Sequence, residues 1–220
     1  MRRTLLALLL LALGAAAPAW GEAVDPFAPL EPPELDPEER ARVERGEVLV
    51  RSLPPSDGRG MGVEAIGRIE ASPARVWSVM ADCEDQDEYL PRVLRAEVRD
   101  RDGAGHVCEI VIDLPFPVDD SRSATRNRLR RLPDGGYQRH WTLAPGDWSY
   151  ERHRGSWTVH PDGPDHALLV NRMDLLPRSV LPIWVLRAAQ AREAPGTFAA
   201  IRARVRSHGI DAVTPAEQVD

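Results

Sequence analysis

From position 93 to position 174 the chain reads as six strand-like runs in succession, and one long amphipathic helix comes after them. The runs span about 93–100, 106–114, 122–132, 136–144, 150–160 and 166–174, with breaks at "RDGAG", "PFPVDD", "PDGG", "APGD" and "PDGPD". Short runs at this rhythm predict an antiparallel meander, and a sheet of that many strands must twist and curl. The closing segment "VLPIWVLRAAQAREAPGTFAAIRARVRS" carries an apolar stripe through Trp184, Ala188, Ala191, Ala194, Phe198, Ile201 and Val205. Pro195-Gly196 is expected to kink it. A helix laid across the concave face of a curled sheet cannot fill all the space beneath it. The pattern therefore predicts an α+β layer arrangement enclosing a cavity.

Upstream, "GVEAIGRIEA" places Val63, Ala65, Gly67 and Ile69 on one face of a strand, and "EVLVRSL" reads as an earlier one. Between these and the meander, "SPARVWSVMAD" is helical, with Val76, Trp77 and Met80 as its apolar stripe. "CEDQDEYLPRV" is a second short helix or a turn, ended by Pro91. "LDPEERARVERGE" carries a full set of helix signals: Asp36 to cap, Pro37 in the first turn, Glu38 and Glu39 at the positive end, Gly46 to stop. Its surface is mostly charged, so a solvated helix is expected. Residues 20–36 are rich in proline and acid and read as an extended linker with little to bury. The division is thus a leader at 1–19, a linker with a charged helix at 20–45, one domain at 46–207 and a polar tail at 208–220.

The leader reading rests on Arg2 and Arg3, an apolar run from Thr4 to Ala17, and small residues at Ala17-Pro18-Ala19. That run is shorter than the ~18 residues a spanning helix needs. A periplasmic or secreted protein is expected. The chain carries a formal charge of −6, and losing two arginines would take it to −8, which argues against nucleic acid as a partner. All 28 basic residues are arginine, which excludes Schiff-base and phosphate-loop lysines. No Gly-x-Gly-x-x-Gly run opens a helix and no Gly-x-Ser-x-Gly elbow is present, so no cofactor, nucleotide site or hydrolase triad is expected. His153, His160 and His166 lack ligand spacing, so no metal is expected. Cys83 and Cys108 either pair, as an exported compartment permits, or are separately buried.

Three stretches carry a resemblance. "IGRIEASPARVWSVMADCEDQDEYLPRV", "LPFPVDDSR", and "GSWTVHP" with "LLVNRMD" and "LPIWVLRAAQAREAPGTFAAIRARV" resemble the START-like superfamily (helix-grip fold). They are similar in particular to START lipid-transfer domains and to the polyketide cyclase and coenzyme Q-binding group. The likeness spans roughly residues 46 to 207, and the order of elements agrees. It implies a curved antiparallel sheet around a long C-terminal helix, with a cavity for a hydrophobic ligand. In place of an acid directly before the arginine, this chain has serine on both sides of Arg122.

Trp141, Trp157 and Trp184 fall where sheet and helix faces should meet, and they are expected either to pack the core or to line the cavity with Met173 and Phe198. Phe116 is either a gate at the cavity mouth or part of a rigid turn. Arg122 is either a partner for a ligand head group or half of a surface ion pair. Strand 122–132 alternates Ser123, Thr125 and Asn127 with Ala124, Arg126 and Arg128. With neither face apolar, it is either an edge strand or the wall of a wet pocket, and the edge is the favoured reading. The expected function is binding, and transfer in the cell envelope, of a hydrophobic small molecule such as a lipid, isoprenoid, quinone or sterol, with transient membrane contact. The alternatives are a partner-binding module whose interior is filled by its own side chains, and a cyclase or aromatase.

Overall fold

In the computed structural model, residues 25–101, 103, 105–114 and 119–207 are described. Strands β1 (Leu49–Leu53) and β2 (Met61–Ile69) precede helices α2 (Pro73–Met80) and α3 (Gln86–Tyr89). Then come β3 (Val93–Arg101), β4 (Gly105–Ile112), β5 (Ser121–Arg131), β6 (Tyr137–Leu143), β7 (Tyr150–Pro161) and β8 (Ala167–Pro177). Helix α1 (Pro37–Glu44) lies before them all, and α4 (Ile183–Ser207) closes the chain. The strands form one antiparallel sheet in the order β1-β2-β8-β7-β6-β5-β4-β3. Each of the six predicted runs of the meander is a strand.

The two faces of the sheet hold different cores. On the concave side, α2 buries Val76, Trp77, Val79 and Met80, and Trp77 stacks on Tyr137 with ring centroids 5.2 Å apart. Tyr137, Val159, Leu169 and Ile69 pack there against Phe198, Ile201 and Val205 of α4. On the convex side a smaller cluster joins Val43 of α1 to Leu49, Ile66, Leu168 and Val170. Helix α1 has the predicted Asp36 cap, which the structure completes as a capping box with Glu39, but the helix is not merely solvated, because Val43 is fully covered.

The segment read as a linker also packs. Phe27 is 1% exposed, and three backbone carbonyls around it accept bonds from the convex face. Ser156 Oγ donates to Phe27 O (2.7 Å), Arg130 Nη2 to Ala28 O (2.7 Å) and Gln138 Nε2 to Pro29 O (2.7 Å). Arg154 lies over the Phe27 ring. This strap covers polar strand residues and supplies carbonyl acceptors for the donors that it buries.

Strand β5 is not an edge. It lies between β4 and β6, and Ser121, Ser123, Thr125 and Asn127 are all buried on the concave face. The wet-pocket reading of this strand is the one its position supports. Cys83 and Cys108 form a disulfide, with Cα atoms 6.4 Å apart, which fastens the loop after α2 to β4.

Candidate functional site

Helix α4 is held differently along its two halves. In the second half, Ala194, Phe198, Ile201 and Val205 are buried. Arg202 Nε donates to Arg68 O (3.0 Å), and Arg75 donates from Nε to Val205 O (3.0 Å) and from Nη2 to Arg206 O (3.1 Å). In the first half, the residues turned toward the sheet, Ile183, Leu186, Arg187 and Gln190, are only half-buried. That half is tied by Arg187 Nη2 to Gly60 O (3.3 Å), and Glu193 at its end reaches Arg92 (3.4 Å). Pro195, which has no N–H to give, sits where the two regimes meet.

This geometry corrects the predicted stripe. Trp184 is 69% exposed, and Ala188 and Ala191 also face solvent. The inward line instead passes through Ile183, Leu186 and Gln190 before joining Ala194 and Phe198. Trp184 and Val180, which is 100% exposed, leave two large apolar side chains in solvent at the start of α4 and in the loop before it. Phe116 lies outside the described residues, as does the leader.

On the part of the concave face away from the second half of α4, Tyr150, His153 and Met173 are only half-buried. Trp141 projects there over Gly155, where a Cβ would come within 2.9 Å of its ring. Met173 is half-buried beside Gly155 on the neighbouring strand. A register shift in β7 between Tyr150 and Arg152 puts Tyr150 and His153 on the same face, ring centroids 4.8 Å apart. Ser121 Oγ and Tyr150 Oη are hydrogen-bonded at 2.9 Å. Burial raises the Tyr150 hydroxyl above its usual pKa. Burial also pushes the His153 imidazole down to about 4, so it is neutral at ordinary pH. Trp141 Nε1 and His153 Nδ1 are buried without a hydrogen-bond partner among the described residues. Trp157 and Phe198, with ring centroids 5.8 Å apart, close the inner end.

Arg122 does not reach this space. The register places it on the convex side, where its Nη2 lies 3.4 Å from Glu109 and its side chain is mostly exposed. Arg122 is thus half of an ion pair, with the buried Glu109 as its partner. Glu109 is buried but on the same outer side, bound also by Arg99 (2.8 Å).

Sequence reasoning misses three inward residues: Arg139, Tyr150 and His153. Arg139 has a readable signal, since it shares strand parity with Tyr137 and Trp141 in "YQRHW". Tyr150 has none, because the irregularity in β7 shifts the period. A separate crevice of roughly 200 Å³ lies at the far end, between α1 and the end of α4. It is lined by charged side chains such as Arg45, Glu70 and Arg206, and is distinct from the concave space. Among the described residues no group of three or more His, Cys, Asp or Glu side chains is placed to hold a metal.

No curated protein matches the chain by sequence. Its fold is that of several solved structures. A STAR-related lipid transfer protein from Xanthomonas axonopodis superposes with a TM-score of 0.64 at 18% identity, over 73% of this chain and 94% of that one. Human StAR-related lipid transfer protein 5 gives 0.61 at 16%, over 73% and 82%. The Zhui aromatase/cyclase of a Streptomyces species gives 0.57 at 15%, over 75% and 100%. The sheet wrapped on a long closing helix is the START-like helix-grip arrangement. Residues 69–202 match the model of one family, and the chain belongs to it: polyketide cyclase/dehydrase and lipid transport.

Proposed function

We propose that this protein takes up a hydrophobic small molecule between the concave face and the first half of α4, and carries it in the cell envelope after export. One observation carries the reading. The second half of α4 is sealed to the sheet while the inward side chains of the first half are only half-covered. Burying about 300 Å² of ligand there at ~25 cal/mol/Å² contributes roughly 7 kcal/mol before association costs. That magnitude fits reversible carriage. The leader sequence supports export, and the exposed apolar side chains of Val180 and Trp184 support transient contact with a membrane. A second reading, cyclase-type chemistry, draws on the Ser121–Tyr150–His153 cluster, which offers hydroxyls and a neutral imidazole to a ligand in the same space.

The test is mass spectrometry of an organic extract from the mature protein, purified natively from the envelope fraction. A stoichiometric apolar compound, lost in a folded Trp141→Ala variant, is expected. An empty extract, with no tryptophan fluorescence response to a lipid panel, would instead favour a partner-binding module. A compound recovered chemically altered after incubation would favour the cyclase.

A further inference from the structure

Buried carboxylates and the buried inward arginine are treated differently in this molecule. Glu64, Glu109 and Asp174 are almost fully covered, and each meets two arginines: Arg51 and Arg172, Arg99 and Arg122, Arg152 and Arg154. All three lie on the convex side. Arg139 is the converse case. It projects from the concave face of β6, opposite Trp157 and Leu129, and is 4% exposed. Its hydrogen bond is neutral: Nη1 donates to the carbonyl of Asp82 at 2.6 Å. Nε is buried with no partner among the described residues. The groups that act on it are the neutral Tyr89 hydroxyl and the Asp82 carboxylate, and that carboxylate is itself bonded to Arg101 Nη2 at 2.8 Å. A guanidinium removed from water needs an anion and well-made hydrogen bonds to offset its desolvation.

Resting on the carriage reading, we propose that Arg139 anchors an acidic oxygen group on an otherwise apolar ligand, which enters head first with its body under the first half of α4. The side of a guanidinium that includes Nε is one of its two bidentate faces for a carboxylate or phosphate. The approach to it is polar: Ser123, Thr125 and Asn127 line the neighbouring strand from the rim inward, and Asn127 stands opposite Trp141. Trp141 and Trp157 flank Arg139 on the same face and supply the apolar contact that the body of such a molecule needs. The carboxylate of a free amphiphile and the phosphate of a lipid head group share this chemistry.

Four probes on one skeleton separate the cases: hexadecane, hexadecanol, hexadecanoate and hexadecyl phosphate. Pyrenebutanol and pyrenebutyrate repeat the comparison on fused rings. Binding is read by tryptophan fluorescence and native mass spectrometry. The wild-type protein is expected to bind the acid about tenfold or more tighter than the matching alcohol, the scale of one charge-assisted hydrogen bond. The more tightly bound acid, carboxylate or phosphate, then names the source. In Arg139→Met the acid-to-alcohol ratio should fall to near one, and Arg139→Lys should restore part of it. The ligand-free Arg139→Met protein should be at least as stable as wild type, an outcome a purely structural arginine would not give. Alcohol bound as tightly as acid in the wild-type protein overturns the assignment and leaves carriage standing. So does acid preference that survives Arg139→Met. Failure of every probe to bind the folded protein overturns the carriage reading and this one together.

Discussion

The ring of Phe198 lies on the backbone of Gly67, so closely that a Cβ at that glycine would stand 2.6 Å from Cδ1. This contact seats the second half of α4 on β2, and it exists because strand and helix each give way to the other. Gly67→Ala should destabilise the protein by about 1–3 kcal/mol through overpacking. Phe198→Ala should cost about 3–5 kcal/mol through the cavity it leaves. Urea unfolding of both variants checks the pair. If Gly67→Ala is neutral, the helix is not seated by this contact.

Cys83 and Cys108, 25 residues apart in sequence, close a loop that contains α3 and β3. Loop-closure entropy predicts that the double Cys→Ser variant loses about 3 kcal/mol. The disulfide also fastens the chain beside the Asp82 carbonyl that holds Arg139, so the variant should bind ligand more weakly. Thermal melts and titrations with the tightest probe test both parts. A stability loss with unchanged affinity would separate the disulfide from the site.

The strands and their turns are legible in the sequence because period-two alternation and Gly, Pro and Asp punctuation are local. Which way a strand faces is not local. In β5 the alternation of Ser123, Thr125 and Asn127 with Arg126 and Arg128 is visible, yet polarity on both faces resembles an edge strand. Only the pairing with β4 and β6 shows that its hydroxyls point inward. The helical wheel of α4 fails at Trp184 for a related reason. A wheel assumes one packing surface along the whole helix, whereas this one buries its inward side chains from Ala194 onward and only half-covers them before it. The strap at Phe27 is invisible because its burial depends on Ser156, Arg130 and Gln138, more than a hundred residues away. Arg139 shares strand parity with Tyr137 and Trp141, but among 28 arginines that local signal does not say which of them is buried.

His153 makes stability depend on pH. Its folded pKa is pushed down to about 4 by burial, against an unfolded value of about 6.5. The unfolded chain therefore binds the proton first. The stabilisation is complete above about pH 6.5 and is lost as pH falls toward 4, by roughly 3 kcal/mol. His140 and His160, also lowered by burial, act in the same direction. Replacing His153 by Leu should flatten the urea-midpoint profile between about pH 6.5 and 4.5, above the range in which carboxylates dominate. Parallel profiles for the two proteins would mean that the ring protonates freely in the native state.

Trp184 and Trp157 should respond oppositely to the same truncation. Trp157 is packed against Phe198, and Trp157→Ala should cost about 3–5 kcal/mol. Trp184 is mostly exposed, and Trp184→Ala should leave stability within about 0.5 kcal/mol of wild type. An indole and a valine held in water at and just before the start of α4 fit the interfacial zone of a bilayer, where aromatic residues settle. Trp184→Ala and Val180→Ser should therefore slow ligand delivery to phosphatidylcholine vesicles while equilibrium affinity for the ligand is unchanged. A fluorescent ligand moving from protein to vesicle gives the rate directly. If the rate is unaltered while Trp184 emission shifts to the blue on adding vesicles, Trp184 touches the membrane without assisting release. If neither changes, delivery proceeds by free diffusion of the ligand, and the two exposed side chains have no part in it.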